Sequence, residues 1–209
     1  MPEPTNDFQY ERRFFCHALP AEYRRDNPPK LVIQSYYVHS GNYVLRVRLT
    51  SNSISLTMDC DTYPIDVLHD YRDEFSHAYV TVKGPASLGT RYEKEMEIDT
   101  RIAAELITRG GDTVIKNRYS VWIAEDGWNV DVFGATNAPL IVAEAARSGP
   151  VTNLTIPKFC LTEVTDQPRF SNESLAARPF SRWAGEFEAE LSEKGPSFQQ
   201  VFGTNRIGD

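Results

Sequence analysis

The chain has 209 residues, 41% hydrophobic and 24% charged, which fits one globular domain with a small appendage and excludes a repeat solenoid. Asp and Glu outnumber Lys and Arg by 29 to 22, so the net charge of −7 argues against a non-specific binder of DNA or RNA duplexes, and any cationic site has to be concentrated locally. No apolar run approaches the roughly 18 residues of a membrane span and the start lacks a signal-peptide core, which predicts a cytoplasmic protein without membrane contact.

In chain order, segments near 8–15, 31–38, 43–49, 78–83, 91–98, 113–123, 128–134 and 139–145 are rich in Val, Ile, Tyr, Phe and Thr and are separated by Gly, Pro, Asn or Asp. They predict about eight strands. Between the third and fourth, residues 51–77 carry Pro64 and Asp-rich turns and read as an insertion with a half-helix around 65–75. Helical periodicity predicts helices over about 100–109, 172–177 and 182–194, the first stopping at Gly110-Gly111 and the last at Gly195-Pro196. Residues 1–195 read as a single domain and 196–209 as a loosely ordered tail.

Side chains on a strand alternate between faces, so Arg46 and Arg48 share one face while Tyr43, Leu45, Val47 and Leu49 share the other. The same parity aligns Arg91, Glu93, Glu95 and Glu97, then Lys116 with Arg118, Gln9 with Glu11 and Arg13, Thr81 with Lys83, Asn129 with Asp131, and Val142 with Glu144 and Ala146. An ordinary antiparallel sheet with one charged, solvated face accounts for any single strand. Strict Arg-x-Arg, Lys-x-Arg and Glu-x-Glu spacing across the set fits better a barrel with a polar lumen, flanked by helices. Such a lumen suits a polyphosphate, because cations bind phosphate oxygens and carboxylates hold a bridging divalent metal.

Several motifs, in order, resemble the CYTH superfamily of triphosphate tunnel metalloenzymes, which includes class IV adenylate cyclases, thiamine triphosphatases and inorganic triphosphatases. Gln9-Tyr10-Glu11-Arg12-Arg13 is similar to the opening ExExK, Ile33 to Tyr37 to IQGYL, Leu45 to Arg48 to LRIR, and Thr81 to Pro85 to TxKGP. Arg91 to Glu95 resembles RxExE, Lys116 to Tyr119 KxRY, Trp128 to Phe133 WxxDxF, Pro139 to Glu144 the LxxAE strand, and Glu163 to Thr165 with Arg169 to Asn172 the EVT…RYSN element. The resemblance covers about residues 8–183. It implies an α+β fold around an eight-stranded antiparallel β-barrel, a tunnel taking a triphosphate-containing small molecule.

On this sequence the resemblance assigns substrate binding to Arg13, Arg46, Arg48, Lys83, Arg91, Lys116 and Arg118, and gives Glu11, Asp131 and Glu144 a catalytic role as ligands of Mg2+ or Mn2+. Glu93 and Glu95 match an acidic pair that completes a second metal site or orients the cations and water. The expected reaction is metal-dependent hydrolysis of an inorganic or organic triphosphate, with a weakened polyphosphate-binding module and adenylate cyclisation as alternatives. Two positions depart from the family: Gln9 stands for the first Glu of ExExK, and Ala146 for the second Glu of a terminal ExE. The ligand set is thinner as a result. Outside this set, Cys16, Cys60 and Cys160 read as reduced core residues, Trp122, Trp128 and Trp183 as packing residues, and His17, His39, His69 and His77 stand at no metal-ligand spacing.

Overall fold

The computed structural model of the chain describes residues 10–26, 28–40, 43–87, 90–147, 151–201 and 203–208. The eight apolar-alternating segments form β1 (Tyr10–Cys16), β2 (Lys30–Ser40), β3 (Tyr43–Ser51), β4 (His77–Ser87), β5 (Thr90–Glu97), β6 (Asp112–Ile123), β7 (Asp126–Phe133) and β8 (Ile141–Arg147). Three short strands follow: β9 (Thr155–Pro157), β10 (Cys160–Glu163) and β11 (Arg206–Gly208). The helices are α1 (Ala21–Asp26), α2 (Pro64–Asp70), α3 (Thr100–Arg109), α4 (Asn172–Ala177) and α5 (Ala184–Lys194).

The expectation of a closed eight-stranded barrel is corrected. One nine-stranded antiparallel sheet runs β10-β1-β8-β7-β6-β2-β3-β4-β5, and among the described residues its two ends do not pair. Closure would need β5 against the free edge of β1. That edge is occupied instead, by β10 at Phe14–Cys16 and then by Val164 N–H donating to Arg13 O at 2.8 Å. Nothing in the β10 segment alternates strongly enough to announce a strand; it pairs because Phe14 and Cys16 beside it are buried core.

Three apolar clusters fix the curl of the sheet. Outside β2, β3 and β4, Leu31, Ile33, Val47 and Leu49 pack against Ala103, Ala104 and Ile107 of α3, and the 51–77 excursion adds Ile54, Val67, Leu68 and Phe75. The excursion is thus part of the core. Asp99 caps α3 by accepting from the N–H groups of Arg101 and Ile102 at 2.8 and 3.2 Å, and the chain re-enters the sheet at Gly111 (φ 89°), where any Cβ would collide with Ser35. Outside β1, β6, β7 and β8, Phe14, Trp128, Val130 and Ala143 form a second cluster. The third closes the inner face: Phe15, Val114, Phe133 and Val142 meet Leu175 of α4, Phe187 of α5 and, between those helices, Phe180 and Trp183, with edge-on ring contacts at 4.9–5.0 Å.

The segment read as a loosely ordered tail is tied down. β11 pairs in parallel with β9, and Gln199 N–H donates to Glu163 Oε2 at 2.8 Å. The cause lies in Glu163 and Arg12, each 1% exposed at the side chain and joined by two hydrogen bonds of 2.8 and 2.7 Å. A buried ion pair needs its remaining polar atoms satisfied, and Asn205 accepts from Arg12 Nη1 at 2.8 Å. Two smaller readings also change: Cys60 is exposed while Cys16 and Cys160 are buried, and Trp122 is 79% exposed while Trp128 and Trp183 are core.

Candidate functional site

Because the sheet curls, the inner faces of distant strands look into one cavity of about 370 Å³. Register puts the cations side by side: Arg46 lies opposite Tyr36 and Thr81, Arg48 opposite Gln34, and Val44 opposite Lys83. On the other wall Arg13 pairs with Glu144 and Arg118 with Asp131. The cavity is lined by five cations, Arg13, Arg46, Arg48, Lys83 and Arg118, and by five carboxylates, Glu11, Glu93, Glu95, Glu144 and Glu173. Of the residues that the sequence points to, nine therefore share this one cavity.

The β1, β6 and β8 wall is layered. At its surface Arg13 bridges two carboxylates, donating to Glu144 at 3.0 Å and to Glu11 at 2.9 Å, and Arg118 reaches Glu144 at 3.3 Å. Beneath it Arg118 grips both oxygens of Asp131 at 2.7 Å each, and Lys116 donates to Asp131 and, at 2.7 Å, to Asn172 Oδ1. Lys116 and Asp131 are 0% and 1% exposed and do not line the cavity. Burial pushes the Lys116 amine down to about 8 despite Asp131 beside it. Burial opposes ionisation of Asp131 as well, but Arg118 and Lys116 outweigh it and hold the carboxyl at about 2.

The β3, β4 and β5 wall is thinner. Glu95 accepts from Arg46 at 3.1 Å, Arg48 at 2.8 Å and Thr81 at 2.7 Å, and Lys83 pairs with Glu93 at 2.9 Å. Burial would raise the Glu95 carboxyl, yet Thr81 and the two arginines keep it below the usual carboxylate range. Arg48 is held below its ordinary value by burial, by Arg46 and by Arg118, with Glu95 only a partial offset. The Nε donors of Arg46 and Arg48 are both buried without a hydrogen-bond partner. Two adjacent guanidiniums thus share one carboxylate on this wall, a local excess of positive charge.

The side chain of Arg91 and the whole of Gln9 lie outside the described residues. Six further lining residues carried no expected role: Gln34, which accepts from Tyr36 O–H at 3.0 Å, Tyr36 itself, Val44, and Ser171, Asn172 and Glu173 around the start of α4. Parity could have found the first two, since Gln34 and Tyr36 alternate within β2 toward the same face as Arg48 and Arg46.

For a divalent cation the donor set is small. Among the described residues no group of three or more His, Cys, Asp or Glu is placed to hold a metal. Asp131 does not fit as a ligand, since it is 1% exposed and lies below the cavity floor, out of reach of a substrate-bound ion. Glu11 and Glu144 do fit, because both reach the same Arg13 guanidinium and Mg2+ is commonly held by one or two carboxylates, with substrate and water oxygens completing the shell. Ala146, directly opposite Glu11, brings no oxygen.

No protein-family profile matches the chain. It is 30% identical over 107 residues to an inorganic triphosphatase of Acetivibrio thermocellus, across 50% of this chain and 69% of that one. Among solved structures it is similar to two of NE1496. The first, called a hypothetical protein, has a TM-score of 0.55 at 21% identity and covers 81% of this chain and 97% of the other. The second, called an inorganic triphosphatase, has a TM-score of 0.54 at 21% identity and covers 81% and 94%. That likeness is one of fold.

Proposed function

The chain belongs to the CYTH family of triphosphate tunnel enzymes, and we propose that it hydrolyses a linear triphosphate held in the cavity between its two charged walls. The observation that carries this reading is the convergence of five cations, Arg13, Arg46, Arg48, Lys83 and Arg118, on one cavity, where among the described residues Arg46 and Arg48 share the single carboxylate of Glu95. A polyanion supplies the missing negative charge. Substrate oxygens take over donors from Arg46, Arg48 and Lys83 on one side and from Arg13 and Arg118 on the other, so the phosphate chain is held straight for in-line displacement.

Glu11 and Glu144 are the residues that would hold Mg2+ or Mn2+. When bound, the ion supplies charge neutralisation and polarises the scissile phosphoryl group. Phosphoryl transfer asks little covalent chemistry of the protein, so positioning and electrostatics dominate the contribution of this chain. Lys116 and Asp131 act from below: Asp131 fixes the Arg118 fork, and Lys116 fixes Asp131 to Asn172 at the start of α4. They are positioning residues, and the catalytic role expected of Asp131 passes to that function.

One observation favours a second reading, a binding module with little turnover: Ala146 leaves Glu11 and Glu144 without a third carboxylate. Incubation with inorganic triphosphate, ATP and thiamine triphosphate in Mg2+ or Mn2+ separates the readings, with phosphate, pyrophosphate and cyclic nucleotide all measured. Phosphate release from a triphosphate is the expected result. Tight triphosphate binding with no product in either metal establishes the binding module instead, and cyclic nucleotide from ATP establishes cyclisation.

A further inference from the structure

A second cavity, of about 350 Å³, lies end to end with the charged one on the inner face of the sheet. Strand alternation shows how the two join. Along β2 the inward side chains run Tyr36, Gln34, Val32, Lys30, and along β3 they run Arg46, Arg48, Thr50. The first of each run lines the first cavity, the last lines the second, and Gln34 and Arg48 line both, as do Glu95 and Arg118. On β4 the order is the same, with Lys83 in the first cavity and Tyr79 and His77 in the second.

The charges of the second cavity do not balance. Lys30, Arg48 and Arg118 line it with one carboxylate, Glu95, which Arg46 and Arg48 already share. Lys30 stands directly opposite Arg118 across β2 and β6, and among the described residues it makes no ion pair. Like charges set opposite each other destabilise a sheet, and an anion between them reverses that effect. Arg48 is held at the junction by Tyr79, its neighbour across β3 and β4, whose ring centroid lies 5.1 Å from the guanidinium carbon. An apolar occupant has little to meet here, since Val32 is 4% exposed and Arg48 covers the Tyr79 ring.

We propose that the second cavity is a further phosphate subsite, through which the protein prefers linear phosphates of four or more units to triphosphate, and that Lys30 sets this preference. The inference rests on the first cavity being the triphosphate site. With three phosphates held there, a fourth passes between Arg48 and Arg118, which face both cavities, and meets the ammonium of Lys30.

Calorimetric titration with inorganic triphosphate and with linear inorganic tetraphosphate in metal-free buffer tests the proposal, with phosphate release in Mg2+ followed on the same samples. Wild type should bind tetraphosphate roughly fivefold more tightly than triphosphate, the upper range for one ion contact at a solvent-accessible site. Lys30→Ala, at an exposed position, should bring that ratio to about one, and Lys30→Arg should keep it. Lys194→Ala removes the same charge from the end of α5 and should leave the ratio as in wild type. A wild-type ratio near one overturns the proposal, as does a ratio that survives Lys30→Ala or falls equally in Lys194→Ala. Binding of neither compound removes the triphosphate site and the proposal with it. Failure to release phosphate counts against hydrolysis alone, because the affinity ratio is read without turnover.

Discussion

The two walls of the charged cavity use the same residue types to opposite ends. On β1, β6 and β8 the charges are stacked in depth: Glu11, Arg13 and Glu144 at the surface, Arg118 in the middle, and Asp131 with Lys116 buried beneath. On β3, β4 and β5 there is one layer, at the open end of the sheet, with Glu95 33% exposed at the side chain and two arginine donors unsatisfied. The first wall is dense in its own ion pairs, whereas on the second Arg46 and Arg48 share the one carboxylate of Glu95, which on the proposed function leaves charge for an anion to balance. Stability should therefore be concentrated on the first wall and ligand response on the second.

The largest stability effect should come from Asp131→Ala, which strands the buried Lys116 charge and should cost about 3–5 kcal/mol in urea unfolding. A loss no greater than that of Arg46→Ala would erase the distinction between the walls. Next in size are the ligand effects: Arg46→Ala and Arg48→Ala should each weaken triphosphate binding by about ten- to a hundredfold, the range for hydrogen bonds to charged groups, with little change in unliganded stability. The triphosphate-induced rise in melting temperature reads this directly. Glu144→Gln should lower turnover by at least about tenfold with part of the triphosphate affinity retained, because the five cations bind without it. The last effect is on pH dependence. With Asp131 held at about 2 against an ordinary 3.8, its contribution of about 2 kcal/mol is fully present above pH 4 and is lost as pH falls from about 4 to 2. Denaturation midpoints of wild type and Asp131→Asn should converge over that interval.

How much of this was legible before the fold was known differs between the walls for the same reason. Period-two alternation named Arg46, Arg48, Glu93 and Glu95 as co-facial, and it named Lys116, Arg118 and Asp131 with equal force. Alternation gives the face of a strand and nothing about depth. That Lys116 and Asp131 sink below the cavity depends on α4 lying across β6 and supplying Asn172, a contact 56 residues away along the chain. Closure failed in the same way: β10 ends at Glu163, the first residue of the matching EVT element, yet its place on the edge of β1 follows from the burial of Phe14 and Cys16 rather than from any pattern of its own. The role of Glu163 was equally hidden, since only the fold brings it to Arg12.

The most direct test is phosphate release from inorganic triphosphate by wild type and Arg46→Ala, assayed side by side in Mg2+ and Mn2+. Sustained release by wild type, with kcat/KM reduced at least about tenfold by the substitution while the unfolding midpoint is retained, is the predicted result. Release that is unaffected by Arg46→Ala, or a wild type that is inert in both metals, would contradict the account.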